Sequence, residues 1–366
     1  MRSIKTKLFS LAMAVSMVLA LAGCAMSTPS TVGSIGGIEI PAGIYLLAQY
    51  NSYNTAANAA ELATGETASD VKAVLKATCT GTIGDEEVTA TGSEYVAKLT
   101  DRAISYYAEV ERRFTEMNGV LDDAATAEAA DTADNLWSTN GDLYTANGIS
   151  KTSLQTYLLN AQKAKALLKM TYGPDGTTPV AEDEYTDFVN NDCYYIEAVQ
   201  FPLVDYSTYS MADDDQKAAI MATAETASNS ALYTAAMTYV PQAMAAMGSS
   251  LDASQAVYYA ASQLYTPDDL SSYGSDEYNN LTDPLDEAGL NHWTTINLGT
   301  TILVARKIDP FKTYTVDELN SMYDLLSSMK STDIQSELYA AGAALEHNLN
   351  SSALNTYSAS KIKKNV

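Results

Sequence analysis

Basic charge, histidine and cysteine are all scarce in this chain of 366 residues, and each scarcity argues against a class of chemistry. There are 21 Lys and Arg against 45 Asp and Glu, a formal charge of −24. Such a surface repels nucleic acid and anionic lipid headgroups, so no nucleic-acid partner is expected. His292 and His347 stand alone, and no cysteine lies in a CxxC or Cys/His spacing. No metal site is therefore expected, and histidine-dependent acid–base chemistry has little to draw on. GxSxG, HExxH, P-loop and strand-borne GxGxxG arrangements are all missing, and no cofactor or catalytic residue is implied. Carboxylates are plentiful, but nothing marks one as buried or paired, and a solvated helix face accounts for most of them.

Phenylalanine and tryptophan are also rare, at 5 and 2, whereas tyrosine reaches 25 and methionine 13. Tyrosine combines an apolar body with a polar tip and suits half-wet surfaces and shallow grooves. Methionine adds adaptable apolar contacts. The composition favours broad, moderately apolar surfaces over one tight pocket, with ordinary core packing as the competing explanation. An apolar content of 46% with 18% charge supports a packed core rather than global disorder.

Long apolar runs are absent beyond the N-terminus, so no later segment is expected to span a bilayer. The first residues, MRSIKTKLFSLAMAVSMVLALAGCAMS, place a basic start before an apolar run from Leu8 to Leu21. That run is short for a spanning helix and reads as an export signal covering 1–23. Its ending, Leu21, Ala22, Gly23, Cys24, matches a bacterial lipobox. Cleavage is expected between Gly23 and Cys24, with diacylglycerol on the Cys24 thiol. The chain would then sit lipid-anchored on the outer face of the cytoplasmic membrane, held by acyl chains. Residues 1–23 hold Arg2, Lys5 and Lys7 and no acid, so their removal leaves 18 basic against 45 acidic side chains. Residues 24–35 are small and polar and read as a flexible tether. The remaining cysteines, Cys79 in an expected loop and Cys193 at an expected strand start, are far apart in sequence and read as free thiols, although a disulfide would be possible outside the cytoplasm.

The mature chain reads as mostly α with a small α+β insert. GGIEIPAGIYLLAQYNSYN begins extended, breaks at Pro41 and runs into a helix. Residues 55–92 suggest a helix and then a loop or small hairpin. From Ser93, the apolar positions Val96, Leu99, Ala103, Tyr107, Val110, Phe114 and Met117 recur at three- and four-residue steps, a helical period stopped by Asn118-Gly119. Further helices are expected around Leu136-Trp137, over 149–172 and over 180–191. Then CYYIEAVQFPLVD, 193–205, has strand composition. A long helix should follow, opened by Ser210 and Asp213 in a capping-box-like arrangement. Residues 248–288 read as helical VYYAASQLY and then a Ser/Asp/Asn-rich loop. TTILVARKIDP is β-branched and strand-like, and two helices with a basic tail end the chain.

The order of elements, with GGIEIPAGIYLLAQY, NGISKTSLQTYL, PVAEDEYTDFVNND, CYYIEAVQF, ILVARKIDP and LNSSALNTYSASKIKK, resembles the SurA/PrsA/trigger-factor-like group of extracytoplasmic chaperones. The foldase lipoproteins of Gram-positive bacteria are the nearest in pattern. This resemblance, over roughly 34–366, implies an N-terminal helical chaperone domain, 36–191, completed by C-terminal helices, 313–366, that pack on it. A parvulin-type isomerase domain would occupy 192–312. Unfolded or nascent secreted proteins would be the partners, with the membrane engaged only through the acyl chains. Active parvulins open with a strand carrying a histidine and close on Gly-aromatic-His-Ile-Ile. Here Gln200 and Thr301 stand at those places, so the insert resembles a degenerate parvulin, and core strands are hard to find within 248–290.

Three functions follow as expectations. A chaperone would shield client segments in a Tyr/Met-lined cavity, with Tyr50, Tyr53, Tyr107, Phe114, Met117 and Trp137 as candidate lining; each also has the helical spacing of a core residue. A peptidyl-prolyl isomerase would depend on Gln200, Thr301 or nearby groups. An envelope scaffold or solute-binding lipoprotein is the third, although solute-binding proteins usually alternate strands and helices in two lobes.

Overall fold

The computed structural model describes residues 29–65, 70–205, 208–271 and 275–364. The expected signal, the cleavage position at Gly23 and the lipidation position at Cys24 lie outside these. In chain order the elements begin with β1 (Thr31–Ile35), β2 (Ile38–Pro41), α1 (Ala42–Thr64), α2 (Val71–Lys76), β3 (Thr78–Ile83) and β4 (Glu86–Thr91). Four helices follow: α3 (Gly92–Glu116), α4 (Asp123–Ala146), α5 (Lys151–Tyr172) and α6 (Glu182–Asn191). Next come β5 (Tyr194–Pro202), β6 (Val204–Asp205), β7 (Ser210–Met211), α7 (Asp214–Ala227), α8 (Leu232–Ala246), β8 (Ala260–Tyr265), α9 (Pro267–Ser271) and α10 (Ser275–Ala288). The chain finishes with β9 (Thr294–Asn297), β10 (Thr301–Lys307), α11 (Val316–Asn320), α12 (Tyr323–Ala343), β11 (His347–Leu349) and α13 (Ser351–Thr356). The fold is mostly α with small sheets.

Contacts divide the chain into two units. The first gathers residues up to Thr100, Asn140–Ser153 and His347 onward. Its three-stranded antiparallel sheet has the order β11-β1-β2, with Gly33 opposite Leu349 and Ile35 opposite both His347 and Ile38. Gly33 has φ +116°, and a Cβ there would lie 2.4 Å from the Asn348 carbonyl oxygen, so this strand crossing requires glycine. The sheet corrects one expectation. Residues 31–35 are not tether; Val32 and Ile35 are fully buried, because pairing with the far end of the chain satisfies their backbone and covers their side chains. The side chain of Asn147 also donates to the Lys363 carbonyl at 3.0 Å and accepts from the Lys363 amide at 2.8 Å, tying down the basic tail. The hairpin β3–β4 places Cys79 in a strand rather than a loop, where its thiol donates to the Ala56 carbonyl at 3.3 Å.

The second unit holds Asp101–Thr139 and Leu154–Glu346. Here α12 packs on α3 and α5 through Leu325, Leu326, Ile334 and Leu338, against Val110, Phe114, Leu167 and Leu168. At Gly342 the crossing is so close that a Cβ would stand 2.6 Å from the Ser105 carbonyl oxygen. A four-stranded antiparallel sheet, order β8-β5-β10-β9, has the strand-like runs of β5 and β10 at its centre. Alternation along β5 sends Val199 and Phe201 to a core with α7 and α8, and Tyr194, Ile196 and Ala198 to a core with α9 and α10.

Four further sequence expectations need correction. Residues 260–265 are strand β8, not helix, because pairing with β5, Tyr194 to Tyr265 through Val199 to Ala260, overrides local preference. Ser275–Ala288 is a helix rather than loop, with Leu281 and Leu285 packed on the sheet. The expected single helix after Ser210 is two, broken at Ser228–Ser230, where the hydroxyl and amide side chains of Ser, Asn and Ser favour a turn. Its capping box is Asp213 with Gln216, the Asp213 carboxylate accepting from the Gln216 amide at 2.8 Å, while Ser210 belongs to β7. Within 248–290, where strands were hard to find by sequence, the described residues form one strand, β8.

Two predictions follow from this packing. Burial pushes the Cys193 thiol up to about 12 and raises Cys79 as well, and both thiols are free and buried. In protein with Cys24 replaced by serine, neither should react with a thiol reagent until the chain is denatured; fast native labelling would contradict the burial. Gly342→Ala should force α12 off α3 and lower stability by about 1–3 kcal/mol, read from a urea midpoint.

Candidate functional site

The residues expected to line a client cavity divide between the two units. Tyr50 and Tyr53 belong to the first unit. Tyr53 is buried in its core, and Tyr50 lies half-buried, edge-on to Tyr144 at 6.2 Å. In the second unit Phe114 is a core residue, Met117 packs against that core, and Trp137 is half-buried on α4. Tyr107 alone among the six borders a cavity.

That cavity, about 360 Å³, lies among α3, α5 and α12. Its walls are tyrosines: Tyr106 and Tyr107 from α3, Tyr157 from α5, Tyr323 and Tyr339 from α12. Space remains because the intervening positions are small. Ala103, Ala161 and Ala164 face Ser327 and Ser331, so the helix backbones pack but their side chains cannot fill the gap. On α12 the positions 323, 327, 331, 335 and 339 form one four-residue row along the helix. Sequence reading missed Tyr106, Tyr157, Tyr323 and Tyr339; the four-residue spacing on α12 was the available signal.

The rings interact with one another. Tyr106 and Tyr339 lie 4.5 Å apart between centroids, and the Arg102 guanidinium sits 3.8 Å over the Tyr339 ring. Burial, with Tyr339, Tyr157 and Tyr323 around it, pushes the Tyr106 phenol up to about 12. Burial likewise raises Tyr107 and Tyr157. Tyr106, Tyr107 and Tyr157 are thus protonated hydroxyl donors at neutral pH. Among the described residues no Asp or Glu lines the cavity, and Lys165, paired with Glu128 at 2.8 Å, is its one charged lining residue.

A second cleft, about 580 Å³, opens where the α9/α10 face of the sheet runs past its helical cover. Strand register sets Gln200 opposite Leu303 and Pro202 opposite Thr301. The two positions singled out by sequence therefore share one cleft. The Thr301 hydroxyl donates to the Phe201 carbonyl at 3.1 Å, so its oxygen is oriented by the neighbouring strand. Tyr259, Tyr265, Tyr278, Asn280 and Asn297 complete a polar, aromatic lining without a formal charge. This cleft can hold and desolvate an uncharged group; among the described residues no carboxylate, imidazole or amine lines it.

Outside the two clefts, the most deeply buried acid is structural. The Glu109 carboxylate accepts from Arg112 at 2.7 and 2.8 Å and lies 3.4 Å from Arg113. His292 is exposed, and among the described residues no group of three His, Cys, Asp or Glu could hold a metal. No described helix is long and apolar enough to cross a membrane.

No family model matches the chain, and no curated protein matches it. Among solved structures, the foldase protein PrsA of Streptococcus pneumoniae is similar, with a TM-score of 0.37 and 10% identity over 76% of this chain and 98% of that one. PrsA of Bacillus subtilis aligns with a TM-score of 0.33 and 12% identity, over 75% of this chain and 95% of that one.

The cavity tyrosines carry a pH prediction. A phenol raised above its ordinary value of 10 stabilises the folded state below that pH, and this contribution is lost as pH climbs through the raised value, about 12 for Tyr106. Tyrosinate absorbance should therefore rise in two phases, the later one coinciding with loss of helical circular dichroism. A single phase centred on the ordinary value would contradict the burial.

Proposed function

We propose that this chain is an extracytoplasmic chaperone that binds unfolded or nascent exported polypeptides. The supporting observation is the tyrosine-walled cavity in the helical part of the second unit. Five amphipathic rings around a small-residue floor can receive a large apolar side chain of any shape, and phenol hydroxyls can pair with client backbone. The lipobox at Leu21–Cys24 supports attachment through Cys24 to the outer face of the bacterial cytoplasmic membrane. In this reading 36–191 and 313–366 form the chaperone body and 192–312 an inserted domain. The strongly acidic exterior keeps client-loaded copies apart.

A second reading, peptidyl-prolyl isomerisation, is favoured by the uncharged cleft at Gln200 and Thr301. Rotation about an X–Pro bond faces a barrier of ~18–20 kcal/mol and needs a desolvated cradle more than a proton donor. Tyr278, Leu281 and Pro202 could supply the apolar walls for that cradle.

Aggregation of a chemically unfolded client, followed by light scattering, should be suppressed by the protein at stoichiometric excess. Replacing Tyr157 and Tyr339 together with serine should raise the concentration needed. Absence of suppression by the unaltered protein would sink the chaperone reading. A protease-coupled proline-peptide assay addresses the second reading: a rate above background, diminished by Gln200→Ala, supports it, and a background rate removes it.

A further inference from the structure

We infer that the tyrosine cavity selects client segments in which an aromatic or large aliphatic side chain is flanked by aspartate or glutamate. This rests on the chaperone reading of the same site. Three observations support it, all concerning charge at the cavity.

Acids outnumber bases by more than two to one in the chain, yet no described acid lines the cavity. One cation, Lys165, lines it, and a second, Arg102, lies on the ring of the lining residue Tyr339. Among the described residues Arg112, Arg113 and Arg306 each engage a glutamate, whereas Arg102 is placed over the Tyr339 ring. A guanidinium stacked on a ring still has its edge donors free to meet a carboxylate. Near Tyr323, the other tyrosine of the α12 row, stands Lys165, with Glu128 and Asp324 outside the lining but close to the same phenol. The pairing of Lys165 with Glu128 joins side chains that are 48% and 57% exposed. Such a pair is worth little and can be exchanged for a client carboxylate.

Geometry sets the size of the segment. Tyr323 and Tyr339 are sixteen positions apart on one helix, about 24 Å at 1.5 Å per residue. An extended chain covers that length in about seven residues. A cavity of about 360 Å³ seats one or two large side chains between those limits. The occupant is thus a short extended stretch, apolar in the middle and acidic at its ends. Repulsion from acids farther away than the Debye length, about 8 Å at physiological ionic strength, is largely screened. Phenol and serine hydroxyls lining the row add uncharged donors suited to a carboxylate.

Binding of fluorescent peptides that share an apolar Phe-Leu-Tyr centre and differ only in flanking Asp, Asn or Lys tests this, with affinity read by anisotropy on the full protein. The Asp peptide should bind about tenfold tighter than the Lys peptide, with Asn between and the gap closing as salt rises. Arg102→Gln should narrow the gap and Arg102→Lys should largely preserve it, with circular dichroism checking that both variants fold. Equal binding, or preference for Lys, with client aggregation still suppressed would overturn the inference and leave the chaperone reading standing. So would failure of every peptide to bind while suppression persists. Loss of suppression together with loss of peptide binding would remove both.

Discussion

The seating of α12 on α3 and α5 is the constraint on which the second unit depends. At one end the absent side chain of Gly342 lets the backbone approach Ser105, closer than any Cβ would permit. Further along, Arg113 reaches Glu337 at 3.1 Å, and the Tyr172 hydroxyl donates to the same carboxylate at 2.6 Å. Leu325, Leu326, Ile334 and Leu338 bury the inner side of the helix. With α12 held at these points, the adjacent row of serine and tyrosine cannot collapse onto the alanines opposite. Filling the cavity would require the whole helix to shift, and close-packed interiors resist such movement.

The sheet follows the same logic with different parts. β5 is covered on both faces, by α7 and α8 on one side and by α9 and α10 on the other. Its ion pair to β10, Glu197 with Arg306 at 2.6 Å, lies directly across the ladder, and the Trp293 ring stacks on Arg306. Cover is incomplete at Gln200, which is exposed, and an uncharged patch of the sheet meets solvent there. The first cleft is left open by its helical frame, and the second combines sheet, helix and the 298–300 loop.

Much of the helical frame was legible. Val96, Leu99, Tyr107, Val110 and Phe114 repeat at helical steps, and α3 runs as that period requires. The same period could not say which tyrosines bury and which border a cavity. Tyr107 and Phe114 share a face, yet one lines the cavity and the other fills a core. Tyr53 offered an identical signal and is buried in the first unit with its hydroxyl unpartnered. Periodicity reports the side of a helix that turns inward; what it meets there is a property of other helices.

From sequence alone came the acidic charge, the expectation of export and lipidation, most of the helices before β5 and the two inner strands β5 and β10. These depend on local composition and on periods of a few residues, which neighbouring residues settle among themselves. Only the tertiary structure decided that 31–35 would be a strand, since its partner β11 lies more than three hundred residues away. Pairing with β5 likewise turned 260–265 from apparent helix to edge strand. The tyrosine cavity draws on residues from 103 to 339. Its existence depends on small side chains from three distant segments meeting at one level, and no local pattern encodes that coincidence.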